Sequence, residues 1–193
     1  MINVHVIYAH PGGHGFTGEV LDAFREGLAE AGHAYTVSDL YRMGFRPDLS
    51  RAELERRDGD PVPEDVAAEQ ARLDAADVWV FVYPVWWADC PALLKGWFDR
   101  VWSVGWAYKP MRLRPARTAL VLCTAGYDVA ELEASGVHQA MRTAMITDRI
   151  GGRAERSEFV VLGGSTLRGD DPRRWAEVRA EHLRRVRELG RAL

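Results

Sequence analysis

The chain has 193 residues, 47 % hydrophobic and 27 % charged, with a net charge of −3. That length predicts one domain spanning 1–193, and the weak charge leaves no basic footprint for nucleic acid or an anionic membrane surface. No apolar run approaches the ~20 residues of a membrane-spanning helix, and MINVHVIYAH lacks a signal-peptide pattern, so the expected location is cytoplasmic.

Ile2–Ala9 is short, apolar and β-branched, which predicts a buried strand. His10-Pro11-Gly12-Gly13-His14-Gly15 follows as a loop. A helix then opens at Phe16 or Thr17 and runs to about Ala31, with Val20, Leu21, Phe24 and Leu28 on one face. Gly32 ends it, and Tyr35–Leu40 is the second strand. Residues 41–63 carry three prolines and mixed charge, so they read as a long surface excursion with one helical turn near Arg51–Arg56. Glu64–Ala76 is the next helix. Val78–Tyr83 is apolar at every position, as expected of a strand covered on both faces of a parallel sheet.

Pro91–Val101 predicts a helix, with Pro91 suited to its first turn. Thr118–Thr124 is the fourth strand, Glu131–Arg149 a broadly helical stretch with an uncertain start at Gly136, and Glu158–Leu162 the fifth strand. Pro172–Leu189 closes the chain as a helix with Trp175, Val178, His182, Val186 and Leu189 on its buried stripe. Strand and helix alternate five times. This predicts an α/β fold, a doubly wound five-stranded parallel sheet in the flavodoxin-like order 2-1-3-4-5. Ligands then bind beyond the carboxyl ends of the strands, beside strands 1 and 3.

The loops at those ends are chemically unusual. The first, His10 to Thr17, brings glycines and a helix N-terminus, where free N–H groups and the helix dipole favour a phosphate. His10 and Thr17 add donors. It matches neither the P-loop nor the dinucleotide glycine pattern. The third strand leaves through Pro84-Val85-Trp86-Trp87, an aromatic wall. The fourth leaves through Thr124-Ala125-Gly126-Tyr127, small enough for backbone to approach a ligand. A phosphate cradle, an aromatic wall and a backbone donor edge are what a flavin needs. Six of the seven tryptophans lie between Val78 and Tyr108. Trp79, Trp97 and Trp102 are expected in the core; Trp86, Trp87 and Trp106 are the site candidates. Metal binding is not expected: His10 and His14 do not share a helix, and Cys90 and Cys123 lack ligand spacing and read as free thiols.

The motifs Ala9-His10-Pro11 with Phe16, Ser38-Asp39-Leu40-Tyr41, Ala68-Glu69-Gln70, Tyr83-Pro84-Val85-Trp86-Trp87, Pro91 through Val101, Ala107-Tyr108 and Gly136-Val137-His138 carry a resemblance. The chain resembles the NAD(P)H:quinone oxidoreductase family, the DT-diaphorase-like branch of flavodoxin-fold flavoproteins, over most of residues 1–140. The resemblance implies that His10, Phe16 and Thr17 hold the flavin phosphates. It places Pro84, Val85, Trp86 and Trp87 along the ring, and Thr124, Ala125 and Gly126 at its pyrimidine end. His138 and Tyr127 would supply and stabilise a proton, and Trp106, Trp87 and Ala88 would border the substrate. Three positions depart from the family: Thr17 replaces an asparagine, Ala125 a glycine, and Ala88 a bulky aromatic.

The implied activity is two-electron hydride transfer from NAD(P)H through a bound flavin to a quinone. One shared slot implies a ping-pong cycle. FAD is favoured over FMN, NAD(P)H is the co-substrate, and a homodimer is implied, with Trp106 and the 41–63 excursion completing the neighbour's site. The alternatives are the same chemistry on an azo or nitro compound or a biosynthetic intermediate, a regulatory flavoprotein subunit, and a one-electron carrier.

Overall fold

The computed structural model describes residues 1–13 and 15–193; His14, expected in the loop beside His10, lies outside the described residues. Five parallel strands form the sheet: β1 (Asn3–Tyr8), β2 (Ala34–Asp39), β3 (Val78–Pro84), β4 (Thr118–Thr124) and β5 (Ser157–Leu162). Their spatial order is β2-β1-β3-β4-β5, as the alternation predicts. All seven residues of β3 are buried, because β3 is central and both its faces are covered.

Side chains alternate between two layers, following the two-residue strand period. Val4, Val6, Tyr8, Val80, Val82, Leu120 and Leu122 pack under α1 (Phe16–Glu30) and α8 (Pro172–Arg191). Ile7, Trp79, Phe81, Tyr83 and Val121 face the other layer, made by α3 (Glu64–Ala75), α4 (Ala92–Val101), α5 (Val129–Ala134) and α6 (Val137–Arg142). That second layer is strongly aromatic. Trp102 lies 5.9 Å from Trp79, 5.3 Å from Trp97 and 5.8 Å from Trp106, centroid to centroid. Trp79 and Trp97 are fully buried. Most of the tryptophan density is therefore core packing, worth more than its area because tilted ring pairs are favoured.

Three elements differ from expectation. The helical stretch after β4 is broken: α5 ends before Gly136, which has φ +77°. A π-helical segment, Thr143–Ile150, then follows α6. A short helix α7 (Leu167–Asp170) precedes α8. The excursion carries its expected helical turn as α2 (Arg51–Glu55), and Arg100 ties it down. The Arg100 guanidinium donates to Glu53 at 2.7 Å, to both oxygens of Asp65 at 2.5 and 3.0 Å, and to the Arg46 carbonyl at 2.8 Å.

A buried polar knot fixes α3 and α4 against the β1–β2 end of the sheet. Glu69 is 0 % exposed. It accepts from Ser38 Oγ at 2.8 Å and Trp97 Nε1 at 2.9 Å, also from Arg72, and lies 3.8 Å from His5 Nε2. Burial raises its carboxyl, but hydrogen bonds from His5, Trp97 and Ser38 outweigh that and hold it below the ordinary glutamate value. A folded-state value below the unfolded one gives stability at neutral pH that is lost as pH falls through it. Glu69→Gln is expected to cost about 3 kcal/mol at pH 7, the scale of breaking a buried pair, and to lower Tm by roughly 6–12 °C. Melts from pH 7 to 3 check it: the gap to the parent should narrow as Glu69 itself protonates.

Candidate functional site

The carboxyl ends of β1, β3, β4 and β5 open into two adjoining clefts. The larger, about 830 Å³, is lined by His10, Gly15, Phe16, Thr17, Pro84, Val85, Trp86, Thr124, Ala125, Gly126 and residues of α7 and α8. The second, about 700 Å³, is lined by Val85, Trp87, Ala88, Ala125, Gly126, Tyr127, Leu132 and Val137. Val85, Ala125 and Gly126 belong to both. Together the clefts form a continuous trough, polar at the α1 end and apolar at the α5 end. Each has the size of a small-molecule site.

The polar end is built on the start of α1. Gly15 gives α1 no side-chain cap. Its first-turn amides are thus open to an anion, and the helix dipole favours one there. His10 turns its Nδ1 back on Gly12, 3.0 Å from the amide and 2.6 Å from the carbonyl. Nε2 makes no hydrogen bond among the described residues. Thr17 is buried and its Oγ1 lies 2.8 Å from Thr124 Oγ1, tying the helix start to the end of β4. The buried Tyr8 hydroxyl beneath this loop has no partner among the described residues; burial, then Asp39 and Asp22, push it up to about 12. These groups fit a phosphate: open amides, an available ring nitrogen and a packed support.

Sequence reasoning did not find the outer wall of this cleft. Trp175 stands edge-on to Phe16 at 4.9 Å, and Arg168, Ala176 and Arg179 continue the wall. Arg179 is paired with Glu19 through two bonds of 2.6 and 2.7 Å. These residues lie beyond the region that carries the motifs. The strand order was the available signal, since it sets the β5 exit loop beside the β4 exit loop at the same sheet edge.

The apolar end is shaped by a tight turn after β3. Trp86 and Asp89 exchange backbone hydrogen bonds of 2.9 and 3.1 Å, and Trp87 and Ala88 between them have φ +52° and +61°. Two positive φ values describe a type I′ turn, normally an Asn-Gly sequence. Neither residue is glycine, so the turn is strained by about 1–2 kcal/mol per residue. Trp87 is fully exposed and Trp86 is 41 % exposed. Opposite, Thr124 O accepts from Val85 N at 2.7 Å, while Ser165 N and Thr166 N bond to the carbonyls of Ala125 and Gly126. Among the described residues the amides of Gly126, Tyr127, Trp87 and Ala88, all residues that line the apolar cleft, donate no hydrogen bond.

Twelve of the fourteen expected site residues meet here. Two do not. Trp106 lies at the other edge of the sheet, its Nε1 donating to Asp74 at the end of α3 at 3.1 Å. The cause is α4, which runs from the carboxyl edge to the amino edge and delivers Trp106 there. Trp106 therefore does not border the substrate region of its own chain. His138 sits on α6 with its ring 5.7 Å from Phe159; its neighbour Val137, rather than His138, lines the apolar cleft. Tyr127 does line it and is 64 % exposed.

Comparison with known proteins places this geometry. The profile of a family with a flavodoxin-like fold matches residues 2–183. An NAD(P)H:quinone oxidoreductase from Methanothermobacter marburgensis is 45 % identical, with a TM-score of 0.90 over 98 % of this chain and 94 % of that one. An uncharacterised NAD(P)H oxidoreductase of Haemophilus influenzae is 31 % identical over 180 residues, 90 % of this chain and 89 % of its own. NAD(P)H dehydrogenase [quinone] 1 of Rattus norvegicus is 36 % identical over 120 residues, of which this chain spans only 44 % of the relative's length. No described helix is long and apolar enough to cross a membrane. The trough at the carboxyl edge, the motifs that line it and these likenesses converge: the chain belongs to the NAD(P)H:quinone oxidoreductase family of flavodoxin-like oxidoreductases.

Proposed function

We propose that the trough holds a flavin and that the chain is a flavin-dependent NAD(P)H dehydrogenase reducing a quinone. One observation carries the reading: the polar and apolar clefts share Val85, Ala125 and Gly126, so phosphate-binding and ring-binding surfaces are continuous. A bound flavin supplies the chemistry of accepting hydride and delivering it in a second step. His10 and the first-turn amides of α1 bind the phosphate. The Pro84–Trp87 backbone lies along the ring edge, and the amides of Gly126 and Tyr127 face the end where negative charge collects on reduction. Trp87, Ala88 and Leu132 exclude water from the stacking space. There NAD(P)H and then the acceptor bind in turn, in a ping-pong cycle. Tyr127 holds a proton at the cleft. His138, turned onto Phe159, supports the wall from behind.

The polar cleft continues past Phe16 to Trp175 and Arg179. That extension is longer than a mononucleotide phosphate needs and favours FAD over FMN. The exposed Trp87 and Tyr127 support a homodimer, in which a second copy would cover this apolar surface. An azo or nitro acceptor would use the same space. The deciding experiment is the absorbance spectrum of the purified protein after incubation with FAD or FMN and desalting. Retained flavin, bleached by NAD(P)H and restored by a quinone, is the expected result. A colourless protein with each flavin would overturn the reading.

A further inference from the structure

At the strained turn lies a half-buried ion pair that no role described so far uses. Asp89 closes the turn through its backbone, and its carboxylate is gripped from below. Arg149 Nη1 donates to Oδ1 at 2.6 Å and Nη2 to Oδ2 at 2.9 Å, and Cys90 N donates to Oδ1 at 2.7 Å. Arg149 is only 8 % exposed and comes from the π-helical segment Thr143–Ile150. Its carbonyl accepts from Trp102 Nε1 at 2.5 Å, and its guanidinium stands 5.7 Å from the Phe98 ring. The arginine is therefore fixed at its backbone and at its head, and π-helical insertions recur where a side chain must be aimed.

A pair whose carboxylate is 44 % exposed is weak evidence of stability, because solvent screens it and desolvation of the arginine offsets much of its attraction. What it does provide is direction. Two fixed bonds to a planar carboxylate allow one orientation of Asp89. Asp89 in turn allows one closure of the Trp86–Asp89 bridge, with Trp87 and Ala88 held at positive φ. Left unsupported, a turn of Trp-Ala would relax to a geometry with negative φ. The unpaired amides of Trp87 and Ala88, residues that line the apolar cleft, would then be displaced. Burial raises the Asp89 carboxyl, but the Arg149 and Cys90 hydrogen bonds outweigh it, so Asp89 stays ionised at neutral pH.

We propose that Asp89 and Arg149 are positioning residues that hold the 86–89 turn in its strained form, presenting the Trp87 and Ala88 amides to the ring of the bound flavin. This rests on the flavin reading above. The pair touches neither ring nor acceptor; it acts through the turn.

The test uses apoprotein and FAD, followed by quenching of flavin fluorescence, with circular dichroism to confirm folding. Asp89→Asn keeps the shape but loses the ionic grip, and should weaken FAD binding about tenfold, the scale of one lost hydrogen-bonded contact. Arg149→Met should do the same. The discriminating variant adds Ala88→Gly to Asp89→Asn. Glycine takes positive φ without strain, so the double variant should recover most of the lost affinity. A pair with a merely structural role would not be rescued at position 88. FAD affinity within twofold of the parent in Asp89→Asn, or a loss that Ala88→Gly does not recover in a folded double variant, would overturn the proposal. Failure of the parent itself to bind FAD or FMN would instead overturn the flavin reading.

Discussion

Thr17→Asp is expected to abolish practical flavin binding while leaving a folded protein. Thr17 is the second residue of α1, and the first-turn amides around it have no side-chain cap. A carboxylate there suits the helix dipole, so the helix itself is not undermined. It does occupy the place of the phosphate with a like charge. Two such charges ~4 Å apart repel by about 4 kcal/mol at an effective dielectric of 20, or roughly a 10³-fold loss of affinity. The lost Thr17–Thr124 hydrogen bond, 2.8 Å in the parent, adds about 1 kcal/mol of instability, and a carboxylate at this buried position adds about 1–3 kcal/mol more. Flavin titration beside a thermal melt checks both. Unchanged flavin affinity in a folded Thr17→Asp protein would move the phosphate away from the start of α1.

Gly27→Val is expected to give a large loss of stability, with a loss of flavin affinity in its train. α1 and α8 cross with backbone in contact. A Cβ on Gly27 would stand 2.1 Å from Arg187 O, and one on Gly190 2.5 Å from Phe24 O. The neighbour is backbone and cannot step aside, so the helices must separate. Overpacking on that scale costs about 3 kcal/mol and lowers Tm by roughly 6–12 °C. The same movement parts Phe16 from Trp175, because α1 carries one and α8 the other. Gly152→Ala, with nothing within 4 Å of the added carbon, is the control and should melt with the parent. A Gly27→Val melt within 2 °C of the control would contradict the close crossing.

Burial explains which parts of the fold were legible in advance. The strands announce themselves because a parallel sheet buried on both faces demands unbroken apolar runs: Thr118–Thr124 falls at its predicted bounds and Val78–Tyr83 within one residue. The helices fare nearly as well where one apolar stripe meets the sheet. The stretch from Glu131 to Arg149 fares worse. Its composition is helical throughout, but Gly136 at φ +77° breaks it and a π-helical segment follows. Neither break has a signature in hydrophobic spacing. The excursion at 41–63 looks loose by composition, yet Arg100, 54 residues beyond Arg46, binds it to α4. Pairing at that distance leaves no local pattern.

The candidate site divides in the same way, and the Val78–Tyr108 stretch shows it best. Sequence by itself determined the parallel sheet, its strand order and the three loops that meet at its carboxyl edge, because each follows from local pattern and the chirality of the crossovers. It also separated Trp79, Trp97 and Trp102 as core. Only the tertiary structure decided the rest. The direction of α4 carried Trp106 to the far edge. The docking of α8 on α1 brought Trp175 and Arg179 to the phosphate end. A buried arginine sixty residues away holds Trp87 and Ala88 in a conformation their own side chains oppose. Local sequence fixes what a segment prefers, whereas the trough depends on which distant segments are near enough to overrule that preference.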